Sequence, residues 1–160
     1  MSAGATLDRS DLDAPYDHLL ADVTFRPVFV MGDHRSGTTI LYKILGATGC
    51  FNIVTVYHIA RFNRLVYDHV NQLGAESREE LNAFLRQQGM QDRVFDRMTV
   101  DADTPEEYGF ILRNGGARPQ LRADNVADLV ALCKKLQFTS GNPLPVLLKN
   151  PWDYFRNFLY

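Results

Sequence analysis

Apolar and polar positions along the chain repeat with two periods, and the places where the period changes mark out the elements. The apolar run Pro27 to Met31 has the length of a buried strand, and Thr38 to Ala47 then reads as a helix closed by Gly46 or Gly49. A leading helix is predicted near Leu12 to Ala21. Phe51 to Tyr57, rich in β-branched and aromatic residues, is a second strand or a loop, and Ile59 to Leu73 reads as helical. Ser77 followed by Glu80 has the spacing of a capping box and predicts a helix running through Gln88. Thr104-Pro105-Glu106-Glu107 predicts another, with Thr104 as cap and Pro105 at the first helical position, closed by "ILRNGG". Within Leu121 to Phe138, Val126, Leu129, Val130, Cys133 and Leu136 share one helical face. "TSGNPLP" then leads into a short strand, Val146 to Lys149, and Asn150-Pro151 starts a further helix. Strands separated by helices predict an α/β fold with a parallel sheet.

Length and composition fit that picture. A chain of 160 residues, 46% hydrophobic, suits one ordinary domain with a sizeable core, and it contains no internal repeat or low-complexity linker. The net charge of −2, from 17 basic and 19 acidic residues, argues against a nucleic-acid partner held by bulk electrostatics. Any anion site must therefore be local. Cys50 and Cys133 lie far apart in apolar surroundings without CxxC spacing, so buried free thiols are expected rather than a disulfide or a zinc site. The N-terminus has early acids and no apolar signal region, and no stretch approaches the roughly 18 apolar residues of a membrane span. The expectation is a soluble, cytoplasmic protein.

The chemistry concentrates in "VFVMGDHRSGTTILYKIL". Gly32 and Gly37 bracket four residues, the spacing of a Walker-type phosphate loop, but Thr38-Thr39 stands where that motif has Lys-Ser/Thr. Such glycines permit positive φ and close approach, so that backbone N–H groups converge on an anion at the positive end of the following helix. The alternative is a plain strand-to-helix turn. Walker chemistry also needs the loop lysine and an acidic residue ending another strand to hold magnesium. The other buried strand, "PVLLK", ends instead in Lys149. This set suits an anion held by direct positive charges and N–H donors, without metal.

"PVFVMGDHRSGTTILYKIL" resembles the 5′-phosphosulfate-binding loop of sulfotransferases that use 3′-phosphoadenosine 5′-phosphosulfate (PAPS), with its Arg-Ser-Gly-Thr-Thr core. "LLKNPWDYF" is similar to a second segment of the arginine-type branch, which includes tyrosylprotein sulfotransferases and bacterial relatives; "TPEEYGFILR" resembles a helix common in the bacterial members. The resemblance implies a P-loop NTPase-like parallel sheet flanked by helices. It divides a single domain, residues 1–160, into a lead-in at 1–24, the phosphosulfate-binding strand, loop and helix at 27–47, a helical acceptor-side region at 58–140, and a lysine-bearing strand and helix start at 146–160.

Carried over residue by residue, the resemblance implies that Gly32, Arg35, Ser36, Gly37, Thr38 and Thr39 bind the 5′-phosphosulfate, with Arg35 on the transferring group and Lys149 assisting from the facing strand. Sulfuryl transfer spreads charge over equatorial and leaving oxygens, which positioned cations and donors can stabilise. The acceptor, a hydroxyl on a small molecule, sugar, lipid or peptide, needs a general base, which the resemblance places some twenty residues beyond the loop arginine. No glutamate stands there, but His58 does, with an ordinary pKa suited to the task. The other reading of His58 is a capping or packing residue at a helix start. The family reads the 3′-phosphate with an arginine and a serine beyond the lysine segment, so the C-terminal strands of the fold are expected to be missing here, with Arg61 or Arg64 as substitutes if the chain is complete. An inactive, truncated sulfotransferase-like domain and a P-loop kinase are the alternatives.

Overall fold

The computed structural model describes residues 10–32, 36–90, 92–93, 98–112 and 119–153. A 3₁₀ helix, Ala14–Leu20, precedes strand β1, Pro27–Val30, and helix α1, Thr38–Ala47. Then come β2, Asn52–Ile53, and helices α2, Val56–Ala60, α3, Leu65–Val70, and α4, Gly74–Gln87. A short antiparallel pair, β3 (Asp92–Arg93) and β4 (Met98–Thr99), and a second 3₁₀ helix, Tyr108–Leu112, lead to α5, Val126–Ser140, and β5, Val146–Lys149. The fold is mixed helix and strand around a small parallel sheet of order β1-β5-β2, as the alternation of elements predicts.

The central strand explains the core. All four residues of β5 are buried, as the middle strand of a sheet covered on both faces requires. Successive side chains point to opposite faces. Val146 and Leu148 pack with Leu129, Leu132, Cys133 and Leu136 of α5, whereas Leu147 packs with Val30 and Tyr42 of α1. Lys149 has the parity of Leu147, so it belongs to the α1 face. A third cluster, built on Tyr57, Leu65, Leu81 and Leu85, joins α2, α3 and α4. At the chain's start, Asp13 is buried against Lys135 of α5, Nζ to Oδ2 2.9 Å, and accepts the Tyr67 N–H through Oδ1 at 2.9 Å. That buried pair ties the first 3₁₀ helix to α3 and α5.

Several sequence expectations fail for physical reasons. Phe51 to Tyr57 supplies only two strand residues, because Tyr57 already belongs to α2. The helix expected over Ile59 to Leu73 breaks between α2 and α3: Lys135 Nζ donates to Phe62 O at 2.8 Å, and Leu12 and Asp13 N–H groups both donate to Asn63 O. Tertiary donors take carbonyls that a continuous helix would have used internally. Ser77 caps nothing; α4 starts a turn earlier and buries Ser77 inside the helix. Thr104 caps no helix either. Its hydroxyl closes a turn with Asp101, and the backbone runs extended beside residues 54–57, with Val56 N donating to Thr104 O and Glu106 N to Val54 O, both at 2.9 Å. Val126 and Val130 are exposed rather than on the buried face of α5, and Cys50 is an exposed free thiol while Cys133 is buried. Burial pushes the Cys133 thiol up to about 12. The closing signal "ILRNGG" falls largely, and the helix after Asn150-Pro151 wholly beyond its first turn, outside the described residues.

Candidate functional site

The two glycines of the loop have different structural reasons. Gly37 is the N-cap of α1 at φ 83°, a left-handed conformation that L side chains adopt at a cost. A Cβ at Gly32 would lie 2.6 Å from Ser36 Oγ and 2.8 Å from Thr38 Cγ2, so those two side chains would have to shift. Ser36 and Thr38 thus lie against Gly32. The first backbone bond of α1 runs from Leu41 N to Gly37 O at 3.0 Å, and no side chain among the described residues caps the helix. Its leading N–H groups, on Thr38, Thr39 and Ile40, are the donors a helix start presents to an anion. Ser36 and Thr39 are exposed beside them and Thr38 is half-buried. Arg35 lies outside the described residues.

Lys149 stands next to this loop by register. It pairs with Val30, the last residue of β1, two positions before Gly32. Its side chain is only 5% exposed, and its Nζ lies 2.5 Å from Glu107 Oε1. Glu107 is a residue the sequence reading gave no role. The sequence predicts a first helical turn for it, but the extended pairing of 104–106 with 54–56 delivers it to the end of β5 instead. Glu106, beside it, is buried, and its Oε1 accepts the Glu107 N–H at 2.9 Å. Both acids act on Tyr42 of α1, whose phenol is pushed far above its ordinary value, first by burial and then, against the lowering effect of its bond to Val54, by their charges. Tyr42 Oη in turn donates to Val54 O and accepts Val54 N–H, fixing α1 to the sheet beneath the loop.

Past Lys149 the chain is clamped. Asn150 Nδ2 donates to Pro119 O at 2.6 Å and to Asp153 Oδ2 at 2.8 Å, the Leu121 N–H donates to Asp153 Oδ1 at 2.8 Å, and the Tyr108 hydroxyl donates to Asp153 Oδ2. Gly109 allows this approach, because a Cβ there would sit 2.5 Å from Asn150 Oδ1. Tyr108 and Asp153 are both buried, and burial followed by the carboxylate raises the Tyr108 phenol strongly. Nothing in local sequence patterning signals this network, because Pro119, Leu121 and Tyr108 each lie more than thirty residues from the Asn150 or Asp153 side chain they meet.

His58 stands elsewhere. It is the N3 residue of a capping box on α2: Nδ1 accepts the Thr55 N–H at 3.0 Å and lies 2.9 Å from Thr55 Oγ1. Burial, and secondarily the charge of Arg78, lowers its pKa to about 4. Among the described residues, the cavity it lines includes neither a loop residue nor Lys149. Arg61 and Arg64 are also committed, to Glu80 at 3.2 Å and to Asp68 at 2.8 Å. Among the described residues no group of three or more His, Cys, Asp or Glu side chains is placed to hold a metal ion, and no helix is long and apolar enough to cross a membrane.

What the strand ends bring together is therefore a glycine-built loop, a helix start with open N–H donors, and a buried ammonium held by a carboxylate. That set can bind an anion and stabilise charge developing on its oxygens. No protein-family model, curated protein or solved structure matches the chain.

Proposed function

We propose that this chain binds PAPS at the loop between β1 and α1 and belongs to a sulfotransferase that moves the sulfuryl group to a hydroxyl acceptor, on a P-loop NTPase-like sheet. The observation that carries the reading is Lys149, a buried lysine at the end of the strand beside β1, on the face covered by α1. A Walker site would want a carboxylate for magnesium at such a strand end, whereas an ammonium suits a leaving oxygen directly. In this reading the loop N–H groups and the hydroxyls of Ser36, Thr38 and Thr39 hold the 5′-phosphosulfate, with Arg35 on the transferring group. The acceptor oxygen attacks sulfur, the bond from sulfur to the bridging oxygen breaks, and the electron pair stays on the 5′-phosphate, next to Lys149. Glu107 holds Lys149 through one oxygen; its second oxygen has no partner among the described residues, and we assign it the acceptor proton. His58 enters this reading less well, because its Nδ1 is engaged in the α2 cap.

The test is sulfate transfer from PAPS to a panel of alcohols and phenols, alongside binding of adenosine 3′,5′-bisphosphate with and without magnesium. Binding independent of magnesium is expected, with turnover falling about 10²-fold or more in Lys149→Ala, as for loss of one charged transition-state donor. Binding that requires magnesium, or turnover indifferent to Lys149→Ala, would overturn the reading.

A further inference from the structure

A second cavity, of about 280 Å³, lies against the outer strand β2, between α2, the N-terminus of α4 and the C-terminal turn of α5. The loop site leaves β1, on the other side of β5. The cavity is lined by Thr55, His58, His69, Gly74, Arg78 and Ser140 among others, and no carboxylate is among its described lining residues. In a chain with 19 acidic residues that one-sided lining is informative.

Three groups that carry donors line it. The first is the imidazole of His58, which is 8% exposed. Because Nδ1 accepts the Thr55 N–H, the neutral ring carries its proton on Nε2, and that N–H has no partner among the described residues. The second is Arg78, held over the Tyr57 ring with Cζ 4.1 Å from the centroid, and fixed by Asp103 through Nε at 3.1 Å and by Gly74 O through Nη1 at 3.1 Å. Its guanidinium is thus built in place, with Nη2 left over. The third is the start of α4, a helix of 14 residues with no side-chain cap, whose first residue, Gly74, is part of the wall. The titratable groups around His58 are Arg78 and His69 in the lining, Asp103, which lies outside the lining and pairs with Arg78, and behind Tyr57 the buried Asp68, which pairs with Arg64.

We infer that this cavity is a second anion site, taking a small oxyanion of phosphate or carboxylate type on Arg78 Nη2, His58 Nε2–H and the open N–H groups of α4. The ligand would relieve the repulsion by which Arg78 helps depress the histidine. This site stands independently of the sulfotransferase reading.

The experiment is titration of the whole 160-residue chain with inorganic phosphate and, separately, acetate, followed by the ring resonances of His58 in nitrogen-15 NMR. Saturable shifts of Nε2–H at millimolar anion, with a raised His58 pKa, are expected. Arg78→Gln should weaken binding about 10-fold or more, the loss of one charge-assisted hydrogen bond. His58→Glu keeps the Thr-x-x-Glu form of the capping box, so the protein should melt near the parent temperature while the new carboxylate abolishes binding. No saturable shift with either anion, or unchanged affinity in a folded His58→Glu protein, read there by the backbone amide resonance of Gly74, would overturn the inference.

Discussion

Lowering the pH from 7 to 4 should unfold this protein partly through one residue, His58. The imidazole caps α2 only as an acceptor, and an imidazolium has no acceptor to offer. Protonation therefore removes the cap as well as placing a charge in a buried site beside Arg78. The folded pKa of about 4 lies below the ordinary 6.5, so between those values the unfolded chain binds the extra proton and the folded chain does not. The contribution to stability is complete above pH 6.5 and is lost as pH falls toward 4. At about 1.4 kcal/mol for each pH unit between the two pKa values, it comes to about 3 kcal/mol. Carboxylates titrate in the same range, so a matched variant is needed. His58→Gln keeps the capping-box form with a side chain that does not titrate. Urea unfolding of both proteins between pH 7.5 and 4 should show the parent losing about 3 kcal/mol more than the variant, with the divergence starting near pH 6.5. Parallel stability curves would refute the reasoning and show that the imidazole is accessible to protons in the folded state.

Two further outcomes follow from packing. Gly37→Ala, at φ 83° with open space around its Cβ, should cost about 1–2 kcal/mol from backbone strain alone, read by thermal melting; Gly32→Ala should instead displace Ser36 and Thr38 and, on the proposed sulfotransferase reading, weaken binding of adenosine 3′,5′-bisphosphate while leaving the melting temperature closer to the parent's, read by calorimetry. Tyr108→Phe leaves Asp153 buried with one donor fewer, and should destabilise by about 1.5–3 kcal/mol in urea unfolding, as for a lost hydrogen bond to a charged group.

The sequence made the strand, loop and helix legible because their determinants are local. Gly32 and Gly37 are dictated by steric space and φ within six residues, and α1 spans Thr38–Ala47 as its periodicity requires. The strand Val146–Lys149 was legible too, since a four-residue run buried on both faces has few other uses. Capping motifs misled in both directions. Ser77-x-x-Glu80 has the form of a box and caps nothing, while Thr55-x-x-His58 is a box with histidine where the pattern asks for Glu or Gln. The difference is made by hydrogen bonds outside the motifs: Leu73 N on Asp68 O, from the preceding helix, sets the start of α4, and Thr104 O receiving Val56 N sets that of α2. Glu107 follows the same logic. Its neighbourhood predicts a helical first turn, which would point it away from any strand end, but the pairing of 104–106 with 54–56 competes with that turn and wins two backbone hydrogen bonds across some fifty residues. An acid that meets Lys149 only through such pairing has no local signature, so the charge balance of the candidate site had to come from tertiary structure. The same pairing separates the two histidine readings. It anchors Thr55, Thr55 orients the His58 ring through Nδ1, and the proton that remains on Nε2 belongs to the cavity beside β2 rather than to the loop beyond β1.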